Sequence, residues 1–170
     1  MNDVQVRAAR TGDGAGCAQV WTDAGRYFAE LNPDLAQKPK TAGLAAWFEA
    51  MIKATRDQEH KLTLVAADAE HVAGLLFATL HEPATDTTRQ LERDLGRRRV
   101  HVDALAVAES DRRRGVGGSL MAVADDWART SKAEIVTVET EANNEQSIPF
   151  YRDKLGYSTR LVTLRKELDE

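Results

Sequence analysis

The chain has 170 residues, 42% of them hydrophobic, and 23 lysines and arginines stand against 27 aspartates and glutamates for a formal net charge of −4. That length fits one ordinary domain with a substantial core, and the acidic total offers no general affinity for nucleic acid. Cys17 has no second cysteine to pair with, Asp3, Arg7, Arg10 and Asp13 interrupt any apolar leader, and no stretch approaches the roughly 18 apolar residues of a membrane span. The expectation is a cytoplasmic protein, one domain over residues 1–170, without nucleic-acid or membrane partners.

Val4, Val6 and Ala8 alternate with polar residues and predict a first strand. From Asp13 the spacing of Cys17, Val20, Trp21, Ala24 and Phe28 predicts a helix, which Asn32 and Pro33 stop. A proline-containing loop follows. Leu44, Trp47, Phe48, Met51 and Ile52 form the apolar stripe of a second helix. Leu62–Ala67 and Val72–Leu80 read as strands joined in a hairpin. Glu82–Arg99 is polar and reads as a loop or short surface helix. Val100–Val107 is a strong strand, Gly115–Thr130 an amphipathic helix and Ile135–Glu139 another strand. Ser147–Leu155 is a short helix with Ser147 at its start and Gly156 at its end. Tyr157–Leu168 reads as a terminal strand. The order gives a mixed sheet with helices on its faces.

The most informative stretch is V-D-A-L-A-V-A-E-S-D-R-R-R-G-V-G-G-S-L, Val102 to Leu120. A strand ends, a turn follows, and a helix opens on Gly115, Gly117 and Gly118. Each glycine in a helix costs about 1 kcal/mol relative to alanine. Their concentration in one opening turn makes sense where a ligand must approach the backbone closely. The first N–H groups of a helix lack internal partners and carry partial positive charge, which suits a pyrophosphate. Arg112, Arg113 and Arg114 can add charge-assisted hydrogen bonds. No Gly-Lys-Ser/Thr follows, so this is not a Walker loop, and the first βαβ unit of a dinucleotide fold is missing.

This stretch resembles the acetyl-CoA motif of the GNAT superfamily of N-acetyltransferases, R/Q-x-x-G-x-G/A, at Arg112, Gly115 and Gly117. A second family motif is similar to N-E-Q-S-I-P-F-Y-R-D-K-L-G-Y, Asn144 to Tyr157. The resemblance implies an α/β (α+β) fold with a mixed, mostly antiparallel central sheet flanked by helices and splayed between Val100–Val107 and Ile135–Glu139. It implies an acyltransferase that moves acetyl from acetyl-CoA, as cosubstrate and without a metal, to a primary amine of a small molecule or peptide. Arg112, Arg113, Arg114, Gly115, Val116, Gly117, Gly118 and Ser119 would then cradle the pyrophosphate. The backbone of Leu105, Ala106 and Val107 would pair with the pantetheine arm, and Asn144 would contact that arm. Tyr151 would protonate the leaving thiolate. A non-catalytic CoA-binding regulatory module is the alternative.

An attacking ammonium must first lose a proton, and a carboxylate commonly takes it in this family. Glu139, five residues before Asn144, is the first candidate and Asp103 the second. Alternation predicts an apolar face of Val100, Val102, Ala104 and Ala106, and a second face of His101, Asp103, Leu105 and Val107. His101 reads as a partner for a carboxylate. By resemblance the first two helices would wall the acceptor site, although Trp21, Phe28 and Trp47 also fit helical core stripes. Arg97, Arg98 and Arg99 form either a solvated turn or a contact to the CoA 3′-phosphate. His60, His71, His81 and His101 are scattered and show no metal-ligand spacing. A homodimer through an apolar sheet edge stays open.

Overall fold

The structure is a computed structural model that describes residues 4–168. The chain divides into two compact units, one ending at Glu139 and the other beginning at Thr140. The first unit runs β1 (Gln5–Ala8), α1 (Gly14–Leu31), α2 (Leu44–Thr55), β2 (Lys61–Ala67), β3 (Val72–His81), β4 (Arg99–Val107), α3 (Val116–Thr130) and β5 (Ile135–Val138). The five strands form one sheet in that spatial order. Neighbours are antiparallel from β1 to β4, while β4 and β5 run parallel. This is the mixed, mostly antiparallel sheet that the element order implied. The loop before β4 carries one short 3₁₀ turn, Arg93–Gly96.

Each face of the sheet is covered by a different set of helices. Val65 and Leu75 pack with Cys17, Val20, Phe48 and Ile52, so α1 and α2 cover that face. Cys17 is fully buried there as a small apolar side chain, and burial pushes its thiol up to about 12. Gly74 points to the other face, where a Cβ would lie 2.9 Å from Val116 Cγ1 and 3.0 Å from the Ala106 carbonyl. Only a residue without a side chain lets α3 settle this close to β3. Phe48 organises the α1–α2 side. Its ring meets Trp47 at 4.9 Å, Trp21 at 6.0 Å and Phe77 at 6.1 Å.

In the second unit, α4 (Ser147–Pro149) leads into a wider π-helical turn, Phe150–Lys154. The expected regular helix from Ser147 to Leu155 is therefore shorter, and Ser147 is not its cap. Asn144 Oδ1 takes that role by accepting from the backbone N–H groups of Gln146 (3.2 Å) and Ser147 (3.0 Å). The turn closes through the Tyr157 N–H, which donates to the Tyr151 carbonyl at 3.0 Å, and Gly156 sits at φ 76 as expected of a helix terminator. The expected terminal strand is absent from 157–168, where Leu161, Val162 and Leu164 are exposed. Adjacent Leu161 and Val162 followed by the charged run Arg165, Lys166 and Glu167 break the alternation a half-buried strand requires.

Candidate active site

The sheet opens where β5 leaves β4. The two strands pair from Arg99↔Ile135 to Val102↔Val138 and no further. Residues 103–107 of β4 thus have β3 on one side and no sheet strand, among the described residues, on the other. Their outward backbone groups have no strand partner, the setting for strand addition, although the Val107 carbonyl accepts from Arg112 at 3.4 Å. The splay lies where expected, except that β5 ends at Val138, so Glu139 follows the strand instead of closing it. The next residue on β4 is Asp103 and the next after β5 is Glu139. The two candidate bases therefore stand at the same opening, one on each diverging strand.

Asp103 is also the extra residue of a β-bulge. Phe77 pairs with Ala104, whereas the adjacent Ala78 pairs with Val102. One inserted residue inverts the alternation. Ala104 and Ala106 face α1–α2 opposite Phe77 and Leu75, but Val102 and Val100 lie opposite Ala78 and Leu80, on the α3 side. The expected common apolar face of Val100, Val102, Ala104 and Ala106 is thus corrected. The second expected face also divides. Leu105 and Val107 lie opposite Leu76 and Gly74 on the α3 side, while His101 lies opposite Thr79 on the α1–α2 side. Asp103 reaches the Thr79 hydroxyl and so joins His101, as expected.

The α1–α2 side carries a row of polar residues across four strands. Lys61 pairs with Thr79, Thr79 with His101, and His101 with Thr137. Lys61 Nζ donates to Thr79 Oγ1 at 2.7 Å, and Thr79 Oγ1 donates to Asp103 Oδ2 at 2.5 Å. His101 Nδ1 lies 2.9 Å from Thr137 Oγ1. Burial, with the nearby charges of Arg99, His101 and Lys61, holds His81 below the usual histidine range against the pull of Asp103.

Gly115 sits at φ 90, a left-handed backbone that favours glycine, and turns the chain into α3. It is the N-cap, so the helix itself begins at Val116. No side chain caps this end, and the first turn holds no acidic residue. A Cβ added at Gly115 or Gly118 would meet nothing within 4 Å. An uncapped helix start with open space beside Gly115 and Gly118, and the helix dipole behind it, suits a diphosphate.

The three arginines behave differently from one another. Arg112 points toward α1: its guanidinium lies 5.3 Å from the Tyr27 ring centroid and donates to the carbonyls of Asp23 (3.2 Å) and Val107 (3.4 Å). Arg114 pairs with Asp111 at 3.3 Å. Arg113 is exposed at φ 60. Arg97 and Arg98 pair with Glu134 (3.1 Å) and Glu82 (2.8 Å). Asp23 ties α1 to the loop by accepting from the Glu109 N–H at 3.2 Å.

Asp111 anchors the loop from below. Burial alone would raise its carboxyl, but the Ser110 hydroxyl, His71 and Arg114 hold it below the usual carboxylate range. His71 lies 3.2 Å from both Asp111 and Asp68, and chiefly the Asp111 hydrogen bond raises its own affinity for a proton. A raised folded-state pKa stabilises the fold fully below the unfolded value near 6.5, and this contribution is lost as pH rises through the folded value. His71→Gln should therefore cost more melting temperature at pH 6 than at pH 8. Thermal melts at the two values check this, and an equal loss at both would refute the ion-pair role.

In the second unit, Asn144 is fully buried. The Tyr151 ring stands 5.0 Å from Phe150 and 5.7 Å from Tyr157, and burial pushes its phenol up to about 12. A phenol of that kind stays protonated at neutral pH, the state a proton donor needs. Among the described residues, no group of three or more His, Cys, Asp or Glu side chains could hold a metal ion, and no helix is long and apolar enough to cross a membrane.

Residues 19–157 match the sequence model of the Acetyltransferase (GNAT) family. The chain belongs to that family. The matched span of this GNAT acetyltransferase takes in part of each unit. It is 31% identical over 78 residues to the probable N-acetyltransferase HLS1 of Arabidopsis thaliana, covering 46% of this chain and 18% of that protein. The fold is shared with a point mutant of the BH1408 protein of Bacillus halodurans, at TM-score 0.80 and 19% identity over 96% of this chain and 99% of that one. It is shared too with an aminoglycoside acetyltransferase from an uncultured soil metagenomic sample, solved with sisomicin. That match has TM-score 0.65 and 15% identity over 98% and 97% of the two chains.

Lys61, Thr79, Thr137, Asp23 and Asp111 escaped the sequence reading. Polar letters inside otherwise apolar strands were the visible signal for Lys61, Thr79 and Thr137, but only the pairing register shows that they form one row.

Proposed function

We propose that the chain is an acetyl-CoA-dependent N-acetyltransferase that transfers acetyl to a primary amine by direct attack in a ternary complex. Family membership supports acetyl transfer in general. The observation that carries the finer reading is the uncapped, glycine-lined start of α3 directly after a strand with one free edge. Acetyl-CoA supplies the activated thioester. Residues 112–119 hold its diphosphate, mainly with backbone N–H groups, while Arg112 braces the loop against α1 and Arg113 is free to turn toward phosphate. The backbone of Leu105, Ala106 and Val107 takes the pantetheine arm. Asp103 accepts the proton from the amine; its support is the fixed Thr79 hydrogen bond at the opening of the sheet. Glu139 is the rival for this role. In the second unit, the family resemblance makes Tyr151 the candidate proton donor, and its raised phenol keeps its proton at neutral pH.

Gly118→Asp tests this reading by effects of opposite sign. The position has room for a side chain, and an acid in the first helical turn typically adds about 0.3–1 kcal/mol of stability. The same charge would oppose a diphosphate. Calorimetry should show acetyl-CoA binding to the parent protein and binding at least tenfold weaker in the variant, with an unchanged or higher melting temperature. Absence of any binding heat in the parent protein at millimolar coenzyme would end the proposal.

A further inference from the structure

We infer that the cleft between α2 and the bulged part of the sheet binds a primary monoamine carried on a single ring or a short branched alkyl body. The cleft has a volume of about 230 Å³. Drug-sized ligands fill sites of roughly 300–1,000 Å³, so the enclosed part of this open cleft houses one ring or a few methylenes. Trp47, Met51 and Phe77 line its apolar part. Trp47 is 56% exposed although it leans edge-on against buried Phe48, so the ring is an open wall and not a core residue, contrary to its place in the helical stripe.

The polar part consists of Thr55 and Thr63, whose hydroxyls bond each other at 3.1 Å, and the charged pair Lys61 and Asp103. Lys61 has only donors, so Thr79 must accept from it and must donate its single proton to Asp103. That fixes one oxygen of the carboxylate and leaves the other to receive an ammonium. A second cation on the ligand would meet Lys61 beside the same carboxylate and be repelled. One amine on an apolar body is therefore favoured over polyamines and aminoglycosides. The use of this cleft as the acetyl acceptor site rests on the N-acetyltransferase reading; the binding itself does not.

The test is tryptophan fluorescence of the full chain titrated with phenethylamine and isoamylamine, with spermidine and kanamycin as polycations. A saturable change is expected for the two monoamines, largely lost in Trp47→Phe and requiring about tenfold more ligand in Asp103→Asn. No saturable change with either monoamine, equal affinity in Asp103→Asn, or tighter binding of the polycations would overturn the assignment. Coenzyme calorimetry on the same protein separates the two ideas. A protein that binds acetyl-CoA and ignores phenethylamine refutes the cleft alone; one that binds phenethylamine at Trp47 but never acetyl-CoA refutes the transferase reading alone.

Discussion

Asp103→Asn should lower the turnover number for amine acetylation by about 10²–10⁴-fold, the usual contribution of a positioned general base. Asparagine keeps the shape and still offers Thr79 an oxygen, so the bulge and the melting temperature should survive. What is lost is the ability to take a proton. Acetyl-CoA should bind as before. Glu139→Gln provides the comparison, since Glu139 follows the other strand at the same opening and is exposed. It should retain most of the parent rate. A Glu139→Gln enzyme crippled beside a fully active Asp103→Asn enzyme would transfer the base role to Glu139.

Phe48→Ala should destabilise the fold by about 3–5 kcal/mol. Phe48 is fully buried and lies within 6.1 Å, ring to ring, of Trp21, Trp47 and Phe77. Truncation removes the contacts of a whole ring and leaves a void that α1, α2 and β3 cannot all close around, because each is held elsewhere. The Glu49 carboxylate, for example, accepts from the N–H groups of Gly12 (2.9 Å) and Gly14 (2.8 Å) and keeps α2 at the start of α1. At about 2–4 °C per kcal/mol for a chain of this size, the midpoint should fall by roughly 6–20 °C. Differential scanning fluorimetry measures it, and a fall of less than 2 °C would show that the aromatic cluster does not hold α2 on the sheet.

The elements of the first unit were legible because their periodicities are strong. The α2 stripe, the β2–β3 hairpin and the amphipathic α3 each follow from spacing alone, and the glycines before α3 announced an unusual helix start. Two things were hidden for physical reasons. The bulge at Asp103 leaves no mark in the letters, since Val100, Val102, Ala104 and Ala106 alternate as a regular strand would. Only the partner strand reveals that the first two face one way and the last two the other. The arginine triplet concealed a division of labour: identical letters in a row became a brace on α1, an exposed cation and a partner for Asp111. The strand expected over 157–168 does not form because adjacent Leu161 and Val162, with the charges that follow, keep no single apolar face to bury.

The bulge lets the strand carry one extra side chain while its neighbours keep consecutive partners on β3. Changing the letter at 103 alters chemistry at one point. Deleting it would remove the bulge and let Val102 and Ala104 follow one another opposite Ala78 and Phe77 in ordinary alternation, leaving every other side chain on its present face. The insertion is thus a detachable perch, able to hold a carboxylate at the mouth of the sheet without disturbing the packing on either side of it.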